Sequence, residues 1–175
     1  MADPFAHAVV FGGTGMLADA TRHLAGLAGQ LTLLARRPAP LAMELGAVPL
    51  PVDWADPDAT RAVIAGIAPA PDLVLSWLHD EAVWLAAPLE ALLPAGGRSI
   101  RVHGAASRDP ARQAERDPNP RPDVRRQTVI LGWQQVETGT RWLTDDEVSA
   151  GAIAAIEDAE ATRIVAGTLD GPMPE

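Results

Sequence analysis

His7-Ala8-Val9-Val10-Phe11-Gly12-Gly13-Thr14-Gly15-Met16-Leu17-Ala18 is the stretch that decides the fold. Residues 7–12 form a short apolar run of the kind that makes a buried strand. Three glycines within four positions then punctuate the chain. After them Met16, Leu17, Ala20, Leu24 and Leu27 recur close to helical spacing, and Gly29 is a stop signal. Strand, glycine turn and helix in that order leave bare main-chain amides at a helix N-terminus. There the helix dipole and the unpaired N–H groups attract an anion. A small residue at Ala18 lets helix and strand pack closely. The segment therefore predicts a dinucleotide-binding turn made by Gly12, Gly13, Thr14, Gly15, Met16 and Leu17. The competing reading is a purely structural tight turn.

Working outward, apolar strands are expected at residues 30–35, 48–52, 72–78, 97–102 and 128–133, the second of them weakened by Pro49 and Pro51. Between them lie helical stretches: a short one at 39–46, one from the Asp56 cap and Pro57 to residue 68, and one over 80–93 that Pro88 should kink or split. Thr144-Asp145-Asp146-Glu147 is a capping box that opens the last helix, and residues 162–169 fit an edge strand. Alternating helices and near-continuous apolar strands imply an α/β fold with a doubly wound parallel sheet, Rossmann-like, as a single domain over 1–175.

Composition narrows the function. The 175 residues are 47% hydrophobic, enough for a packed core, and carry a net charge of −9, which argues against nucleic-acid binding. The chain has no cysteine, so disulfides, thiolate chemistry and cysteine-ligated metals are excluded. Neither a secretory signal nor a membrane span is visible, and a cytoplasmic location is expected. Four histidines without clustered spacing make no convincing metal site. The chain also lacks tyrosine, and all 14 of its basic residues are arginine.

The Gly12-Gly13-Thr14-Gly15 turn, with the order of elements over residues 7–107, resembles the short-chain dehydrogenase/reductase superfamily, and most of all its atypical members with a GGTG turn. The resemblance implies NAD(P) binding. Cofactor choice is read about 20 residues past the glycines, where NAD binders place an acid. Here Arg36 and Arg37 stand instead, and two guanidiniums suit the 2′-phosphate of NADP better than NAD. The alternative is that they are solvated loop charges. The resemblance further implies that Asp53, after the third strand, contacts the adenine amine; an ordinary loop or capping aspartate is the alternative. Ser76, Trp77 and His79 end the fourth strand, where topology brings them toward the cofactor ribose, with plain core packing as the other reading of Trp77.

The family's usual chemistry stops here. The resemblance implies a tyrosine acid with a lysine four residues on and a serine after the fifth strand. Ser107 occupies the serine's place, but no tyrosine or lysine exists to partner it. The helix that should carry them is replaced by a segment broken at Pro110, Pro118, Pro120 and Pro122. A histidine is the side chain suited to proton transfer near neutral pH, so His103 and His79 are the candidate acids. His7 and His23 read as structural. Residues 98–126 hold eight arginines against Asp109, Glu115, Asp117 and Asp123, which reads either as a solvated loop or as a lid over an anionic ligand, with Arg108 its best candidate. Residues 137–140 should turn a hairpin in which Trp133 and Trp142 face each other or the substrate region, with core or subunit-interface packing as the plainer reading of both. Two functions follow: an NADP-dependent oxidoreductase acting on a small carbonyl- or imine-type molecule, or a non-catalytic NAD(P)-binding sensor or partner-binding module. A homo-oligomer is compatible with the apolar fraction, but no surface for one is identifiable.

Overall fold

A computed structural model describes residues 4–109 and 121–174. Its centre is one sheet of seven strands, all parallel: β1 (Phe5–Phe11), β2 (Ala28–Ala35), β3 (Val48–Pro51), β4 (Leu73–Trp77), β5 (Arg98–His103), β6 (Arg125–Leu131) and, last in the chain, β9 (Arg163–Ala166). The spatial order is β3-β2-β1-β4-β5-β6-β9. Strand order reverses beside β1, and ligands collect at such a switch point, outside the carboxyl ends of the strands. β3 lies at the sheet edge, where Pro49 and Pro51 cost few ladder bonds.

The expected doubly wound architecture is present. One sheet face is covered by α1 (Ala18–Ala25), α2 (Ala39–Leu45) and α5 (Asp145–Glu157), which bury Leu24, Leu41, Ala152 and Ile156 against Ala8, Val10 and Ile100. The other is covered by α3 (Pro57–Ala65), a 3-10 turn over Asp80–Leu85 and α4 (Ala86–Ala91), burying Ile64, Leu85 and Leu89 against Val9, Phe11 and Val74. Alternate residues of each strand thus serve alternate faces. Asp56 caps α3 through the Ala59 N–H at 3.2 Å, with Pro57 in the first turn, and the Thr144 capping box with Glu147 is complete. Among the described residues no helix is long and apolar enough to cross a membrane.

Some boundaries differ from the sequence expectation. α1 ends at Gly26 rather than Gly29, because the Leu27 carbonyl already accepts the Phe5 N–H at 3.1 Å and draws the chain into β2. α3 stops at Ala65, three residues short of the expected end. Pro88 lies inside α4 and the break precedes it, at the junction with the 3-10 turn, since a proline is tolerated in the first helical turn. β6 runs earlier than expected, and Trp133 belongs to a separate hairpin of β7 (Trp133–Val136) and β8 (Gly139–Trp142). Trp133 and Trp142 do face each other, edge to face, with ring centroids 6.5 Å apart.

The arginine-rich stretch is less of a loop than its charge implies. Arg98 and Arg101 are buried on β5 and Arg126 is half-buried on β6. Arg98 donates to the carbonyls of Ala155 and Ile156, at 2.8 and 3.2 Å, satisfying the open C-terminal end of α5. Pro110, Pro118 and Pro120 lie outside the described residues.

Candidate functional site

The chain leaves β1 through Gly12, whose N–H donates to the Leu34 carbonyl at 2.9 Å and whose φ is +77°. That backbone favours glycine, and a Cβ here would lie 2.9 Å from the carbonyl oxygen of Trp77. Gly12 is therefore the point where β1, β2 and β4 come together at their carboxyl ends. Gly13 serves another purpose. It is buried, and a Cβ on it would sit 2.4 Å from both Thr21 Oγ1 and Val10 Cγ1. Thr21 hydroxyl donates to the Gly13 carbonyl at 3.0 Å, locking loop to helix. Gly15 is exposed, and a Cβ on it would meet nothing within 4 Å.

A groove of about 340 Å³ opens over this turn. Gly12, Thr14, Gly15 and Met16 line one side; Arg36, Arg37 and Trp54 line the other. Leu17 is fully buried in the core, so of this residue the backbone alone is left for a ligand. The Arg36 guanidinium lies over the Trp54 ring, 4.8 Å from its centroid. Asp53 does not line the groove. Its carboxylate accepts the Ala55 N–H at 3.0 Å and its carbonyl accepts the Thr60 hydroxyl at 2.7 Å, so it builds the turn before α3. The next residue, Trp54, presents itself instead. Sequence reasoning missed it, although a large aromatic just past a strand end was the available signal.

Beside the groove lies a cavity of about 480 Å³ at the ends of β4 and β5. Trp77 and His79 line both hollows and form the wall between them. The His79 ring packs against Trp54 at 5.8 Å and edge-on against Trp77 at 5.7 Å between centroids. Ser76 is buried and faces the cavity rather than the groove, as does His103. Ser107 falls in a 3-10 turn over Ala105–Arg108, where Ala105 and Ala106 line the cavity; its side chain lies outside the described residues. The structure thus gathers Ser76, Trp77, His79 and His103 around one space.

Arg101 and Met173 line the cavity and escaped the sequence reading, and Trp142 of the expected hairpin lines it too. Arg101 is 3% exposed, and its Nη2 lies 2.9 Å from Glu90 Oε1 on α4. Arg126 grips the same buried carboxylate at 2.9 and 2.6 Å. A buried glutamate held by guanidiniums on neighbouring strands fixes both side chains. Arg108 is exposed and lines neither hollow.

Elsewhere, His7 is buried and structural, its ring bonded to the Pro69 carbonyl at 2.7 Å and to Thr32 Oγ1 at 2.9 Å. His23 lies 3.4 Å from Glu157 on the far helices. Among the described residues no group of three or more His, Asp or Glu is arranged to hold a metal.

No protein-family model matches the chain, and no curated protein matches it in sequence. Solved structures do match in shape. BdcA, an E. coli protein solved in complex with NADPH, superposes with a TM-score of 0.71 at 17% identity over 97% of this chain and 96% of that one. A short-chain dehydrogenase/reductase from Serratia marcescens gives 0.64 at 15% identity, covering 94% and 98%. A short-chain dehydrogenase from Burkholderia cenocepacia in complex with NADP gives 0.63 at 17%, covering 91% and 96%. The chain has the fold of the short-chain dehydrogenases and reductases, a Rossmann-like sheet with its crevice at the β1 switch point.

Proposed function

We propose that this chain is an NADP(H)-dependent oxidoreductase that acts on a small carbonyl- or imine-type substrate without the tyrosine and lysine of its structural relatives. The observation that carries this reading is the shared wall: a glycine-floored groove and a substrate-sized cavity meet at Trp77 and His79. The groove residues fit the cofactor. Gly12 lets the turn approach the Trp77 carbonyl, Gly15 is open where a Cβ would stand, and Arg36 and Arg37 line the same groove, a donor pair that suits a 2′-phosphate. Similar folds have been solved with NADPH and NADP. Gly12, Thr14, Gly15 and Met16 would hold the diphosphate, and Arg36 and Arg37 the 2′-phosphate. When bound, the nicotinamide supplies or takes up a hydride.

The chain's own residues do the rest. His79 or His103 holds the proton delivered to the carbonyl or imine, and Ser107 keeps the hydrogen-bonding role that its place after β5 suggests. His79 is exposed, and the rings of Trp54 and Trp77 pack against its imidazole and fix its place between groove and cavity. The test is NADPH oxidation against a panel of small aldehydes, ketones and imines, with His79→Gln and His103→Gln as variants. The histidine that carries the proton should lower kcat by roughly 10²- to 10⁴-fold while NADPH affinity is kept. Tight NADPH binding with no turnover across the panel would sink the oxidoreductase reading. The missing tyrosine and lysine favour the second reading, a non-catalytic redox sensor. It requires unequal affinity for NADPH and NADP⁺, which calorimetry measures directly.

A further inference from the structure

We infer that the cavity beside the groove is built for a monocarboxylate with an apolar tail, its carboxylate turned inward to Arg101 and Ser76 and its hydrocarbon outward under Trp142 and Met173. The inference adds to the oxidoreductase reading above that its carbonyl- or imine-type substrate also carries a carboxylate and an apolar tail, yet its binding test does not depend on that reading.

The inner wall supplies the anion seat. Ser76 on β4 and Arg101 on β5 are paired in register, so both side chains stand on the same sheet face, and both line the cavity. Each is buried, at 3% exposure. A guanidinium carries five N–H donors, so an arginine that holds Glu90 can also donate to a ligand oxygen. Glu90 fixes the Arg101 head before any ligand arrives, which lowers the ordering cost of binding.

The outer wall is apolar and comes from the far end of the chain. Trp142 ends the hairpin and Met173 lies on the tail, 48% and 57% exposed, yet both line the cavity. Neither placement is loose. Arg141 grips Glu147 of α5 with both nitrogens, at 2.8 and 2.9 Å, and the grip draws the Glu147 carboxyl down to about 2. Trp133 Nε1 donates to the Asp170 carbonyl and the Thr140 hydroxyl to the Pro172 carbonyl, each at 2.9 Å, which pins the tail across the hairpin. Large apolar side chains held at a cavity mouth gain from contact with an apolar ligand. Val83 and Ala86 continue that surface.

The other charged and titratable groups around the space set the limit of one carboxylate. Asp80 and Glu81 are exposed and line the cavity, and among the described residues they are its titratable groups together with His79 and His103. A second carboxylate at the outer end would approach Asp80 and Glu81 and be repelled.

Calorimetry on the protein alone and with NADPH present tests this with straight-chain carboxylates from acetate to octanoate, 1-hexanol and adipate. Affinity should rise about three- to fourfold per methylene over the first members. Hexanoate should exceed both hexanol and adipate by roughly tenfold or more. The joint Trp142→Ala and Met173→Ala change should flatten the chain-length slope and keep the preference for hexanoate over hexanol. Arg101→Met with Glu90→Gln, which leaves Arg126 an amide oxygen to donate to in place of the carboxylate, should erase that preference and keep the slope. Ser76→Ala is the milder companion and should shrink the preference without disturbing the Glu90 cluster. A flat slope, adipate binding as tightly as hexanoate, or no carboxylate binding with or without NADPH overturns the inference. Failure of NADPH to bind while the carboxylate series behaves as described overturns only the cofactor reading.

Discussion

The groove and the cavity share a wall but are made of different material. The groove is floored by backbone: Gly12 lets the turn close onto the Trp77 carbonyl and Gly15 leaves open the space a side chain would take, within a few residues of one turn. The cavity is walled by side chains from β4, the 3-10 turn, β5, the hairpin and the tail, brought together only by the complete sheet. A backbone site is written locally and tolerates little change. A side-chain site is written across the whole chain and leaves each position freer to vary.

The sharpest way to break this contrast lies inside the glycine turn itself. Gly13→Asp places atoms where Thr21 and Val10 already stand, 2.4 Å from its own Cβ, in a fully packed interior. It should cost several kcal/mol and leave little folded protein, seen as a collapsed melting transition by circular dichroism. Gly15→Asp meets nothing and should melt close to the wild type, while nucleotide affinity falls by roughly 100-fold or more as a carboxylate faces the diphosphate. Equal melting temperatures for the two variants would show that the Gly13 contacts do not matter to folding. Unchanged affinity in Gly15→Asp would remove the diphosphate from this loop.

A smaller effect is expected on the opposite bank. Arg36→Ala with Arg37→Ala removes the guanidinium pair, and one charge-assisted contact to a phosphate is worth about 1.5–3 kcal/mol. Affinity for NADPH should fall roughly 10- to 100-fold and affinity for NADH by much less. Arg36 also lies over Trp54, so some loss common to both nucleotides is expected from the disturbed wall. An equal loss for both would assign the arginines to general charge rather than to 2′-phosphate recognition.

The contrast also explains what the sequence could reveal. Strand, turn and helix around Gly12 were legible because every determinant is local: an apolar run, glycines, helical spacing. The caps at Asp56 and Thr144 were legible for the same reason. Arg101 was hidden because its burial depends on Glu90, eleven positions earlier on a helix across the sheet face, and charge patterning alone points to solvent. The hairpin that carries Trp142 was legible from its turn, but Met173 was hidden because its place at the cavity follows from the tail folding back across that hairpin, which no local signal encodes. Asp53 was open to two readings, adenine contact or loop aspartate; its carboxylate serves the turn before α3, while Trp54 lines the groove.

One residue joins the two kinds of site, and it sharpens the comparison most finely. α1 begins without a side-chain cap, because Leu17 occupies the capping position and is buried in the core. The missing cap comes from the far side of the chain: Ser149 on α5 accepts the Ala20 N–H at 3.3 Å and donates to the Met16 carbonyl at 2.7 Å. A hydroxyl 133 positions away from Met16 thus holds the glycine turn and the first turn of α1 in register. Ser149→Ala strands a buried N–H and a carbonyl and should cost about 1–2 kcal/mol of stability. Because Met16 lines the groove, NADPH affinity should fall a further few-fold beyond what the lower melting temperature accounts for under fully folded conditions. If thermal melts drop while calorimetry at low temperature returns the wild-type affinity, Ser149 braces the fold alone and the turn holds its shape without help from α5.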